Sequence, residues 1–200
     1  RWEEPLEVQI VPALHGRRRR GQRAAVAVTQ LVRQQVRLDV RRFVQEVQLL
    51  RLLVHAHVVR FVGAVWDHSA MLVTERGERA LSDALRDGAD VHGPRVAAHV
   101  ARALRHLHAL QLAHRDVKGG NVLLTEHGTA KLADFGLARA VEAGEHMSSV
   151  VGSGLWAAPE VRFGARPRYD RRCDAFSFGV LLLELVDQAR VYDEYARSPA

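Results

Sequence analysis

The chain has 200 residues, 48% hydrophobic and 26% charged, a globular composition that excludes a disordered tail or a collagen-like repeat. Its formal net charge is +6, but 27 of the 29 basic residues are arginine, Lys118 and Lys131 being the lysines, so the excess reads as coding bias more than as a nucleic-acid surface. One cysteine, Cys173, excludes an internal disulfide, no apolar run reaches the ~20 residues of a membrane span, and the start Arg1-Trp2-Glu3-Glu4-Pro5 lacks the layout of a secretory signal. The expectation is a cytoplasmic (intracellular) protein with no membrane span and no nucleic acid among its partners.

Residues 6–13 and 24–28 are short runs rich in β-branched side chains, and the glycine- and arginine-rich segment between them predicts a hairpin with Arg17 to Arg20 at a solvated tip. Phe43, Val47, Leu50 and Val54 recur at helical spacing and predict an amphipathic helix over about 39–53. Residues 58–65 and 71–74 read as two further strands. Past Gly77 the pattern becomes helical. Pro94 opens a stripe of Val96, Val100, Ala103, Leu104 and Leu107, residues 112–132 return to short strands and loops, and 176–186 is apolar on nearly every side, which predicts a buried helix. A sheet with one helix followed by a mainly helical half implies two lobes. The eleven histidines are scattered, and His106 and His108 fall on different sides of a helix, so they are expected at the surface and not in a metal site.

Three motifs follow in order: His114-Arg115-Asp116-Val117-Lys118-Gly119-Gly120-Asn121, then Asp134-Phe135-Gly136, then Ala158-Pro159-Glu160. Each is weak alone, but in this order and spacing they resemble the protein kinase family, of the serine/threonine type and tyrosine-kinase-like group, over roughly residues 24–190. The resemblance implies a two-lobed α+β kinase fold, with a small lobe over 1–76 and a mainly helical lobe over 77–200, incomplete at both ends and lacking the C-terminal helices. It implies ATP and Mg²⁺ as cofactors, and a protein carrying serine or threonine as substrate. Moving a γ-phosphoryl group is mostly positioning and charge neutralisation. By resemblance Asp116 is the base for the substrate hydroxyl, Lys118 neutralises the γ-phosphate, and Asn121 and Asp134 supply the hard oxygen ligands that suit Mg²⁺.

Further residues carry the same resemblance. Glu46 stands where the family's helix glutamate pairs with a strand lysine, and Leu50 is expected to pack toward Phe135 and His114. Thr74 falls at the residue that limits the adenine pocket, Glu75 begins the hinge, and Ala27 and Leu123 line the nucleotide. Asp174 is expected to bond the catalytic-loop backbone, with Cys173 as packing. Ser153 stands where the family's threonine bridges base and lysine. Arg115 beside Asp116 implies regulation through a phosphate on the loop between Asp134 and Glu160, with Ser148 and Ser149 as acceptors.

Three departures accompany these matches. Val26-Ala27-Val28 is followed by Thr29 where the family carries its strand lysine, and no lysine precedes Lys118. Arg42, four residues before Glu46, is placed to satisfy that carboxylate along the helix. Aligning residues 6–14 with the following strand puts Arg1, Glu3 and Leu6 where phosphate-loop glycines belong. The arginine that pairs with Glu160 in the family lies beyond the last residue, so Glu160 is expected to be buried and unpaired. A serine/threonine kinase impaired by Thr29 and a pseudokinase that binds nucleotide or partners both stand as readings of this sequence.

Overall fold

Valines at alternating positions favour extended backbone, and Val26–Gln30 forms strand β1. It pairs antiparallel with β3 (Ala70–Glu75), which pairs on its other edge with β2 (Phe61–Trp66), giving the order β1-β3-β2. The register sets Ala27 opposite Thr74 and Thr29 opposite Leu72, and an irregularity between Phe61 and Gly63 shifts the β2–β3 ladder. Helix α1 (Val40–Leu52) buries Phe43 and Leu50 on the stripe the sequence predicted.

The computed structural model describes residues 26–30, 40–66, 70–141, 147, 152–163 and 169–187. The first strand of the predicted hairpin, its arginine tip, the positions Arg1, Glu3 and Leu6, and Ser148 and Ser149 lie outside them, as do the side chains of Ala27, Thr29 and Arg42. The chain divides into two units. One holds the described residues up to Val54 together with Arg60–Arg76, and the other holds His55–Val59 and the described residues from Gly77 onward.

The strand predicted over 58–65 starts later than expected, at Phe61. Val58 and Val59 are instead buried in the second unit, where Val58 bridges Leu132 and the Val59 N–H donates to the Leu132 carbonyl at 2.8 Å. β-propensity was overridden by this pairing.

In the second unit, β4 (Arg79–Ala80) leads into α2 (Leu81–Arg86). Helix α3 (Gly93–Ala109) begins with Pro94 in its first turn and His92 accepting the Arg95 N–H at its cap. Val96, Val100, Ala103, Leu104 and Leu107 are all buried, at about 1.5–3 kcal/mol for each large side chain. After β5 (Leu112–Ala113), strands β6 (Val122–Leu124) and β7 (Ala130–Leu132) form an antiparallel sheet with β4, while β8 (Arg139–Ala140) pairs with β5. Two helices follow, α4 (Pro159–Arg162) and α5 (Arg172–Asp187).

Helix α5 reverses the expectation for 176–186. Phe176, Leu183 and Val186 are exposed, at 43%, 59% and 83%, while Asp174, Ser177 and Glu184 are buried. These polar side chains face inward because each bonds a loop. Among the described residues no helix is long and apolar enough to cross a membrane.

Candidate active site

The loop from His114 to Lys118 leaves β5 and enters a 3₁₀ turn, Gly119–Asn121, before β6. Its backbone is anchored by Asp174, in the first turn of α5. Asp174 Oδ2 accepts the His114 N–H at 2.9 Å and lies 2.8 Å from His108 Nε2, while Oδ1 accepts the Arg115 N–H at 2.8 Å. Burial pushes the Asp174 carboxyl up, but the His108 bond, the nearby His114 and the two backbone donors outweigh it and hold it below the usual carboxylate range. His108 is therefore half-buried with an ionic partner and not a surface histidine.

Asp116 is 6% exposed and takes three side-chain donors. Lys118 Nζ donates to Oδ2 at 2.7 Å, Ser153 Oγ donates to Oδ1 at 2.7 Å, and Asn121 Nδ2 donates to Oδ2 and to the Asp116 carbonyl, both at 2.8 Å. Lys118 also donates to Ser153 Oγ, which closes a triangle of base, lysine and hydroxyl. Burial raises the Asp116 carboxyl, while the bonds from Lys118 and Ser153, the lysine charge and the Asn121 amide lower it further than burial raises it. Asp116 is thus an ionised acceptor with each oxygen directed.

Ser153 reaches this loop through local geometry. Gly152 stands at φ 98°, and a Cβ there would meet the Arg115 carbonyl oxygen at 2.8 Å, so glycine is required for the close approach. The Ser153 carbonyl then accepts the Trp156 N–H at 2.8 Å, starting the 3₁₀ turn Gly154–Trp156.

Asp134 is brought beside this cluster by a backbone bond from Ala133 N–H to the Asn121 carbonyl, 2.8 Å. It is exposed, stands at φ 61°, and its Oδ1 accepts the Gly136 N–H at 3.3 Å. Phe135 is buried against His114, ring centroids 4.9 Å apart and edge-on. His114 Nε2 sits 3.1 Å from the Ala133 carbonyl and its Nδ1 accepts the Asp116 N–H at 3.3 Å, so the ring is neutral. Burial outweighs its acidic neighbours and lowers its pKa.

Arg115 donates from Nε to the Leu137 carbonyl at 2.6 Å and from Nη1 to Tyr169 Oη at 3.3 Å. Glu160, in the first turn of α4, is solvent-exposed and not buried as expected, because the buried residues there are Ala158 and Val161. Leu123 is half-buried on β6, opposite Lys131. Cys173 is 3% exposed, and burial pushes its thiol well up, which makes it packing and not a nucleophile.

In the first unit, Thr74 is buried on β3, and Glu75 accepts the Arg60 N–H at 2.8 Å. Glu46 is half-buried on α1. On β1, the strand beside β3, the backbone of Ala27 stands opposite Thr74 and that of Thr29 opposite Leu72.

The donor chemistry fits magnesium. The amide nitrogen of Asn121 is committed to Asp116, which leaves its carbonyl oxygen as the ligand-type atom, and Asp134 offers an exposed carboxylate next to it. Among the described residues no group of three His, Cys, Asp or Glu side chains is arranged to hold a metal ion.

Two features escaped the sequence reading. His55 stacks on His106 at 4.8 Å and His57 on His99 at 4.0 Å, so these are packed rings and not scattered surface groups. Glu184 interrupts an apolar run in the sequence, and that lone carboxylate was the available signal for a buried bonding role.

The chain from residue 14 to 199 matches the family model described as the protein kinase domain. Relatives include serine/threonine-protein kinase dst3 of Dictyostelium discoideum, 34% identical over 72% of this chain and 26% of that protein. Serine/threonine-protein kinase STY17 of Arabidopsis thaliana is 37% identical over 73% of this chain and 26% of its own length. LIM domain kinase 1 of Drosophila melanogaster is 30% identical over 78% of this chain and 16% of its own length. The chain belongs to the protein kinase family, whose members generally use ATP and Mg²⁺. It spans about a quarter or less of the length of these three relatives.

Proposed function

We propose that this chain transfers the γ-phosphate of ATP to serine or threonine hydroxyls of a protein, at a rate limited by Thr29. The observation that carries the reading is the ionised Asp116 held by Lys118, Ser153 and Asn121. In the reaction the substrate hydroxyl oxygen bonds the γ-phosphorus while the bond to the bridging oxygen breaks, ADP leaves, and the hydroxyl proton goes to Asp116. Lys118 places a positive charge beside Asp116, where the transferring phosphoryl group gains negative charge. Asn121 and Asp134 would hold Mg²⁺, which would supply positive charge against that of the nucleotide phosphates. By the resemblance Ala27, Glu46, Thr74, Glu75 and Leu123 are assigned to the nucleotide.

Serine/threonine selectivity is supported by Lys118 two residues after the base and by the two relatives named as serine/threonine-protein kinases, each matched over more than 70% of this chain. Arg115, already bonded to Leu137 and Tyr169, is assigned to read a phosphate on Ser148 or Ser149. The second reading, a nucleotide- or partner-binding pseudokinase, is favoured by one observation: the strand paired with Thr74 carries Thr29 at the step assigned to lysine. Incubation with γ-labelled ATP, Mg²⁺ and a generic protein substrate decides between them. Label on serine or threonine, absent in Asp116→Asn, is expected. Label on tyrosine overturns the selectivity, and no label favours the pseudokinase.

A further inference from the structure

Helix α3 contains no aspartate or glutamate. Arg95, His99, Arg102 and His106 recur along it at steps of four, three and four, which places them on one face, with Arg105 at its edge. The segment His55-Ala56-His57 packs on that face, His55 against His106 and His57 against His99. Strand β7 borders it through Ala130, whose N–H bonds His99 Nδ1 at 3.2 Å, and through the charge of Lys131. The segment and the strand, like the helix, hold no carboxylate. Arg95, Arg102 and Arg105 are exposed and form no ion pair among the described residues, whereas Arg79 and Arg86 are paired with Asp87 and Asp83.

The ring bonds fix which nitrogens remain for a ligand. His55 Nδ1 and His99 Nδ1 each accept a backbone N–H, so these neutral rings carry their proton on Nε2 as a donor. His57 Nδ1 faces the Ala130 carbonyl at 3.3 Å and donates to it, which leaves its Nε2 bare. A proton added there breaks no bond. Burial holds His57 neutral against the pull of the Ala130 bond, and the Arg102 and Lys131 charges add to burial. His106 Nε2 is buried with no hydrogen-bond partner among the described residues. Cations and N–H donors with no carboxylate disfavour a metal ion and suit an anion. From Arg95 to His106 the helix rises about 16 Å, the span of about five residues of extended chain. We propose that this face of α3, with His55 and His57 beside it, docks an extended acidic peptide segment of a protein partner. Carboxylates bound there offset the cations that keep His57 neutral, so docking takes up a proton and tightens as pH falls.

The test is fluorescence anisotropy of a labelled hexaglutamate peptide with the full 200-residue chain. No nucleotide is present, so the outcome is independent of whether the chain transfers phosphate. Saturable binding that weakens with added salt is expected. The double variant Arg95→Glu with Arg102→Glu should bind about tenfold more weakly. Arg86→Glu with Arg162→Glu lowers the net charge equally and should change little. Between pH 7.5 and 6.0 the glutamates stay ionised, and affinity should rise about threefold or more, a rise that His57→Gln removes. If the charge reversals give no cooperative melt, Arg95→Gln with Arg102→Gln takes their place, with a loss of about threefold expected. Equal weakening in the two double variants would show attraction by net charge alone and overturns the proposal. So does the absence of binding by the unsubstituted chain, or a pH dependence that survives His57→Gln. Tighter binding of oligothymidylate, or of vesicles of phosphatidylcholine and phosphatidylserine in equal parts, overturns the assignment to a peptide.

Discussion

Arg115 stands at a backbone φ of 68°, and its N–H is held at 2.8 Å by Asp174 Oδ1. Left-handed backbone at a non-glycine residue costs about 1–3 kcal/mol, which surrounding contacts must offset. The buried carboxylate does so while also satisfying the His114 N–H and meeting His108. The conformation that turns Asp116 toward Lys118 and Ser153 is therefore set from α5.

Asp174→Ala should accordingly destabilise the chain by about 3 kcal/mol or more, since two buried N–H groups lose their acceptor and the strain at Arg115 is no longer offset. Urea unfolding at neutral pH measures it. A loss below about 1 kcal/mol, the scale of an ordinary surface substitution, contradicts this role.

The packed histidines predict a pH dependence. His55 Nδ1 accepts the His57 N–H and His99 Nδ1 accepts the Ala130 N–H, both at 3.2 Å, so protonating either ring breaks a bond. His55, His57, His99 and His114 all have lowered pKa values, with burial as the largest cause. For the first three, neighbouring cations among Arg95, Arg102, Arg105 and Lys131 lower them further. Below the unfolded histidine value of about 6.5 the unfolded chain binds more protons than the folded one, so stability falls as pH falls. The urea midpoint should drop between pH 7.5 and 5.5. The depressed carboxyls of Asp116 and Asp174 add a further loss at lower pH, below the unfolded aspartate value of about 3.9. A midpoint that is flat or rises on going to pH 5.5 would contradict the neutral, packed rings.

Much of the site was legible because its residues lie within one short loop. Asp116, Lys118 and Asn121 lie within six residues of sequence, and Asp134 follows just after β7. The helical stripe of α3 was equally plain, since burial there follows the 3.6-residue period. What the sequence hid was long-range and polar. Val58 and Val59 look like the start of β2, yet the Val59 N–H goes to the Leu132 carbonyl, some seventy residues on, and the Val58 N–H to His55. On α5, Asp174 bonds the catalytic loop as the resemblance implied, but the inward Ser177 and Glu184 were missed, because loops supply their partners and periodicity of apolar residues carries no record of that. Glu160 was expected inside by analogy, whereas its short helix buries Ala158 and Val161 and leaves the carboxylate in water.

Metal dependence follows from the roles proposed for Asn121 and Asp134. Nucleotide affinity by calorimetry should require Mg²⁺, and Asp134→Ala should weaken ATP binding in its presence while changing little in EDTA. Equal ATP affinity with and without Mg²⁺ contradicts the assignment.

The most direct measurement is a four-way transfer assay at saturating Mg-ATP with the unsubstituted chain, Thr29→Lys, Asp116→Asn and the double variant. Lysine at position 29 would restore a positive charge whose absence costs on the order of 10²–10³ in rate, about 3–4 kcal/mol of barrier. The account predicts slow transfer by the unsubstituted chain, a gain of about tenfold or more in Thr29→Lys, and loss of that gain when Asp116→Asn is added. Transfer that survives Asp116→Asn, or that stays at background in Thr29→Lys, would contradict it.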